Sequence, residues 1–203
     1  MRKCIKLFSI LFMVLLLFFV GSLIKDKVSL RNDIIRLHVV ANSDSDIDQK
    51  NKLAVRDALI EYLESISGNF DSCEDAKAFL SSALPDLTDI ANRTLRSVGC
   101  EDRAILSLQH EAFGIREYDT FTLPSGIYES LRVVIGDGMG KNWWCVVFPS
   151  LCMPKSEEVF VETAVSSGLD QNLADTLKND RKYKIRFFIL DWIGSIENFF
   201  CFS

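Results

Sequence analysis

The sequence predicts an α+β protein. An N-terminal signal or anchor segment precedes one small mixed or antiparallel sheet, packed against two or three helices. Three observations carry this reading. A short alternating apolar segment near residue 35 is followed by two long stretches with helical apolar spacing. Several alternating segments then return between residues 103 and 148. The chain has 203 residues, 48% of them apolar, which is enough for one compact core and too little for two roomy domains.

The elements follow in order. Arg2, Lys3 and Lys6 precede an apolar run from Leu7 to Val20 that only Ser9 interrupts, and small residues Gly21 and Ser22 follow. A basic start, a short apolar stretch and small residues describe an export signal. Extended to Ile24 the run nears the length of a membrane span, so residues 1–24 read as either a cleaved signal or an uncleaved anchor. The charge bias places the rest of the chain outside the cytoplasm. Residues 34–40 read as a strand, with Ile35, Leu37 and Val39 on one face and Arg36 and His38 on the other. Asn42-Ser43-Asp44-Ser45-Asp46 is a capping cluster, and Ser45 with Asp48 makes a weak capping box. A helix follows to about Ile66, with Val55, Leu59, Tyr62 and Ile66 on its stripe.

A second helical stretch spans about Cys73–Val98, with a break or kink expected at Leu84 before Pro85. Residues 103–113, 128–136 and 142–148 read as strands, the last two joined by a glycine-rich hairpin turn over 137–141. Residues 154–180 are polar and read as the least ordered, variable segment. Residues 181–203 read as a C-terminal strand and tail returning to the 33–153 core.

Charge and cysteines narrow the function classes. Setting aside residues 1–22, which carry three basic side chains and no acidic ones, leaves 20 positive against 28 negative charges. Such a chain lacks the basic stripe of a general nucleic-acid binder. Outside the cytoplasm, cysteines invite disulfides. Cys73 and Cys100 bracket 27 helical steps, roughly 40 Å if straight, beyond bridging distance unless the helix folds back at Pro85. Cys145 and Cys152 stand seven apart with Pro149 between them, so they read either as a disulfide or as two small buried residues.

No motif completes a catalytic or cofactor site. The Asn42–Asp48 cluster lacks the Gly and Glu positions of a calcium loop. Residues 136–141 match neither a dinucleotide fingerprint nor a P-loop. His110-Glu111 begins like a zinc-protease motif, but Gly114 stands where its second His belongs. No cofactor and no metal are expected. A Cys145 nucleophile paired with His38 or His110 lacks any neighbour that would lower its pKa. Trp143 and Trp144 are adjacent in a strand, so their rings point to opposite faces, and they read either as two core residues or as one core ring and one ring that anchors an interface.

A resemblance rests on two segments. Residues 35–46 (Ile-Arg-Leu-His-Val-Val-Ala-Asn-Ser-Asp-Ser-Asp), running into Gln49-Lys50 and Lys52–Asp57, resemble the start of stage II sporulation protein R. Leu123–Glu129, Val133–Gly136, Gly138 and Asn142-Trp143-Trp144-Cys145-Val146-Val147-Phe148-Pro149 to Cys152 follow in that family's order. The resemblance implies a signal of endospore formation rather than an enzyme. It would be made in the forespore and exported to the space facing the mother cell. There it would trigger a membrane-embedded aspartic protease, which processes the inactive mother-cell sigma factor precursor, pro-sigma-E. The candidate partner contacts are Arg36, His38, Asn42, Asp44, Asp137, Gly138, Asn142, Trp143 and Trp144. An extracytoplasmic thiol or cell-wall hydrolase built on Cys145, and a non-signalling envelope partner, are the alternatives.

Overall fold

The computed structural model describes residues 2–66, 70, 72–150, 156–178 and 184–202, with the backbone alone at 2–3, 184–186 and 201–202. The elements run α1 (Arg2–Asn32), β1 (Ile35–Val40), α2 (Asp46–Ile66), α3 (Cys73–Ser97) and β2 (Ala104–Phe113). They continue with β3 (Arg116–Glu117), β4 (Thr122–Leu123), β5 (Gly126–Ile135), β6 (Asn142–Phe148), α4 (Glu157–Ser166), α5 (Gln171–Leu177) and α6 (Lys184–Phe202). The protein is α+β, with a four-stranded mixed sheet ordered β2-β5-β1-β6 and a separate β3-β4 pair.

β1 is buried on both faces apart from a half-buried His38, which is the burial of a central strand. It pairs in parallel with β5 (Leu37 opposite Leu131) and antiparallel with β6 (Leu37 opposite Cys145). One face of the sheet presents Leu37, Val39, Leu131, Val133, Leu106 and Cys145 to α2 and α3. Those helices contribute Val55, Leu59, Leu80, Leu87 and Leu95 at helical spacing. Asn92 fixes α3 to the sheet by donating to the Ala104 carbonyl and accepting from its amide, each at 3.0 Å. The other face carries a second core at the end where β1 and β5 begin. There Tyr128, Phe113 and Val146 meet Leu23 and Leu30 of α1, Phe160 of α4, Leu173 of α5 and Leu190 of α6.

Four expectations need correction. The 137–141 segment is not a hairpin turn, because β1 lies between β5 and β6. The segment instead steps across the end of β1, using left-handed glycines at 136 (φ 57°) and 138 (φ 64°). Pro85 does not split α3. It lies within a continuous helix on the exposed side, where water can take the carbonyl that a proline cannot serve. The 154–180 segment contains two helices that bury Phe160, Ala164, Leu173, Ala174 and Leu177. Finally, 184–202 is helix α6, not a strand. Its inward residues Phe187, Leu190, Gly194 and Asn198 recur three or four apart, and the short alternation at 185–190 masks that longer period.

α1 is the helix long and apolar enough, among the described residues, to cross a membrane. Residues 4–21 are exposed throughout, whereas Leu23, Asp26 and Leu30 are buried against the domain. The apolar run and the folded domain therefore share one continuous helix.

Candidate partner-binding face

β-strand alternation sends Arg36 and His38 away from the α2–α3 core. The register then fixes their neighbours. Arg36 lies opposite Ser130 and Val146, and His38 opposite Arg132 and Trp144. On β2, Glu111 lies opposite Tyr128 and reaches across the same face. His38 Nδ1 is 3.2 Å from Glu111 Oε1, and Arg132 Nη1 donates to that oxygen at 2.6 Å. His38 Nε2 is 2.9 Å from Asn142 Oδ1. Burial pushes the Glu111 carboxyl up, but the contacts from His38, Ser130 and Arg132 outweigh it and hold the group down at about 2. The carboxylate is thus an ionised tie between three strands.

Aromatic rings complete the face. Trp144 stacks on His38 with centroids 5.8 Å apart, and the Arg116 guanidinium lies 3.7 Å from the Trp144 ring centre. Arg36 is wholly buried, 4.0 Å from the Phe113 ring centre and 5.1 Å from that of Tyr128, and its Nη2 donates to the Tyr118 hydroxyl at 2.9 Å. Among the described residues, its Nε and Nη1 meet no hydrogen-bond partner. Aromatic faces therefore supply much of what a carboxylate would supply to this buried cation.

The capping cluster and the glycine-rich segment meet at the end of β1. Asn42 Oδ1 accepts from the Asp137 amide at 2.8 Å, and Asp44 Oδ1 accepts from the Lys141 amide at 2.7 Å. Met139 and Gly140 amides donate to the carbonyls of Asn42 and Ala41. A Cβ at Gly136 would collide with the Asn42 side chain, and one at Gly140 with the Ser43 carbonyl. Asp48 is held below its usual range, chiefly by a hydrogen bond from Ser43, with Ser45 and Asn42 assisting. The cluster thus caps α2 and clamps the crossing loop at once.

The nine sequence-derived candidates divide into three places. Arg36, His38, Asn142 and Trp144 share the polar face, although Arg36 presents no surface there. Asn42, Asp44, Asp137 and Gly138 form the adjoining loop clamp, and Asn142 links the two groups. Trp143 lies on the opposite face, packed on the α2–α3 core with Arg56 5.0 Å from its ring centre. The sequence reading missed Glu111, Arg132, Arg116 and Tyr118. The alternation of β2 carried a signal for Glu111, since Phe113 two residues on is also buried.

The cysteines are poorly placed for thiol chemistry. Cys145 is buried and disulfide-bonded, and its expected partner Cys152 lies outside the described residues. His38 is on the other side of the sheet from Cys145. Cys73 and Cys100 are free thiols, and burial pushes Cys73 up to about 12 and Cys100 in the same direction.

Comparison with known proteins places this arrangement. The family model described as Stage II sporulation protein R matches residues 31–158, from the end of α1 through β6 to the start of α4. The chain belongs to the stage II sporulation protein R family. A relative from Bacillus subtilis (strain 168), itself named Stage II sporulation protein R, is 27% identical over 187 residues, covering 83% of this chain and 84% of that protein. No solved structure matches. In this member of the family, the matched region contains the whole polar face and the loop clamp. The exposed part of α1 and all of α5 and α6 lie outside it.

Proposed function

We propose that this chain is an exported signal of endospore formation that activates a membrane-embedded aspartic protease, which then processes the mother-cell sigma factor precursor pro-sigma-E. Membership of the stage II sporulation protein R family carries the reading. α1 supports it, since a long exposed apolar helix at the N-terminus suits a signal or an anchor. Action by binding rather than by catalysis fits a disulfide-bonded Cys145 and free thiols held in their protonated form.

The partner surface in this reading is the accessible edge of the polar face: Trp144 and Asn142, backed by His38 and Arg132, with the loop at Asp137 and Gly138 beside it. A ligand shifts a partner toward its active arrangement only by binding that arrangement more tightly. A ring fixed by His38 and Arg116 is already ordered, so docking it costs little side-chain entropy.

The test is reconstitution in a non-sporulating bacterium with the cognate protease and the sigma precursor. Processing is expected to require this chain and residues 1–24. W144A, exported and folded, is expected to weaken activation by roughly tenfold or more, the scale of an interface anchor. An uncut precursor with all three proteins present and folded removes the signalling reading. Full activation by W144A removes that ring from the contact surface.

A further inference from the structure

α6 is turned the opposite way from an ordinary surface helix. Phe188, Trp192, Ile196, Phe199 and Phe200 are 60%, 66%, 39%, 66% and 78% exposed. At 3.6 residues per turn they share one arc of about 120°. The opposite side is pinned to the domain. Asp191 Oδ1 accepts from the Ser125 amide at 2.7 Å, and Asn198 Nδ2 donates to the Phe113 carbonyl at 2.8 Å. Gly194 lies so close to Ser125 that no Cβ fits between them. The aromatic side is therefore held outward by its own contacts.

What covers it is indicated by α1. Glu197 of α6 pairs with Lys27 at 2.7 Å and with Arg31 at 4.0 Å. Lys27 and Arg31 follow the last apolar residue of the run, Ile24, by about 4.5 and 10 Å of helix rise. The polar headgroup layer is about 5–8 Å thick on each side of the hydrocarbon. Lys27 thus falls at headgroup depth and Arg31 just beyond it, so α6 is attached to α1 at the membrane edge. An apolar cavity of about 190 Å³ between Leu23, Ile24, Val28, Leu190 and Ile193 continues the greasy surface from α1 to α6. Trp concentrates at this depth, and helices with Trp, Phe or Leu on one side lie in it.

We infer that α6 is a membrane-interface helix, its aromatic side seated in the outer surface of the bilayer beside α1. The domain then has two attachments, one spanning and one lying flat. The second survives removal of residues 1–22, and so would hold a cleaved chain against the membrane. This inference goes beyond the proposed signalling role and does not depend on it.

The test uses the full chain and its W192F variant in vesicles of phosphatidylethanolamine and phosphatidylglycerol containing lipid brominated near the headgroup end of the acyl chain. The chain has three tryptophans, and Trp143 and Trp144 are half-buried in β6, not on the exposed side of α6. Roughly a third of the emission of the full chain is expected to be quenched, and almost none in W192F. A second variant, F199E/F200E, is expected to unfold at the same denaturant concentration and to halve or abolish Trp192 quenching. Equal quenching in the full chain and W192F overturns the inference. So does an unquenched Trp192 that is shielded from acrylamide within a cross-linked dimer, since the covering surface is then a second copy.

Discussion

Glu111 shows how a single carboxylate organises a face. It is buried, yet it holds His38 from β1 and Arg132 from β5. Its folded-state value of about 2 lies below the ordinary 4.5. A depressed carboxyl contributes stability above its unfolded value and loses it as pH falls through the folded one. The gap corresponds to roughly 3 kcal/mol, lost between pH 4.5 and 2. E111Q is expected to lower stability at pH 7 by about 2–3 kcal/mol and to flatten the acid limb of stability in that window. Urea unfolding across pH 2–7 measures both; an unchanged acid limb would show that another carboxylate controls it.

At the scale of elements, Gly194 decides where α6 sits. The absence of a side chain lets the helix backbone rest against Ser125 at the start of β5. G194A favours helix by propensity, but it forces the Ser125–Gly126 backbone and α6 apart. The net expectation is a loss of about 1–3 kcal/mol, together with faster proteolysis within Lys184–Phe202. Unaltered stability and cleavage would place the true contact elsewhere along α6. Legibility differed among the elements for physical reasons. α2 and β6 have plain periods and clear caps or turns, so their spans were readable. α6 is apolar on two sides, one meeting the domain and the other carrying exposed aromatics, and its polar residues Asp191 and Asn198 lie on the domain side, so the usual polar-outward stripe is missing. α4 and α5 are short, so each shows its spacing only over about two to three turns.

For the whole molecule, the consequential feature is that α1 belongs both to the apolar run and to the second core. Leu23 and Leu30 are 4% and 3% exposed. A chain beginning at Leu23 is therefore expected to unfold at the same urea concentration as the longer one. A chain beginning at Asp33 loses both leucines and uncovers Tyr128 and Leu190, costing about 3–6 kcal/mol. Equal unfolding of the two shortened chains would show that α1 adds nothing to the domain. The polar face itself was only half readable. Arg36, His38, Asn142 and Trp144 are adjacent to recognisable strand and loop signals. Glu111 became a neighbour of His38 across 73 residues of chain, Arg132 joined it through Glu111 across 21, and Arg116 reached Trp144 from outside the four-stranded sheet.

By itself, the sequence determined the apolar N-terminal segment, the α+β class, the two long helices and the family resemblance, because periodicity, capping and charge are local properties. Tertiary structure decided the rest. It placed β1 between β5 and β6, and so turned an apparent hairpin into a crossing loop clamped by Asn42 and Asp44. It buried Arg36 among rings, set Trp143 and Trp144 to different tasks, and gave α6 an outward aromatic side. Which strands pair, and which side of a helix with two apolar sides faces inward, depends on contacts between distant residues. The local pattern that specifies each element leaves those contacts open.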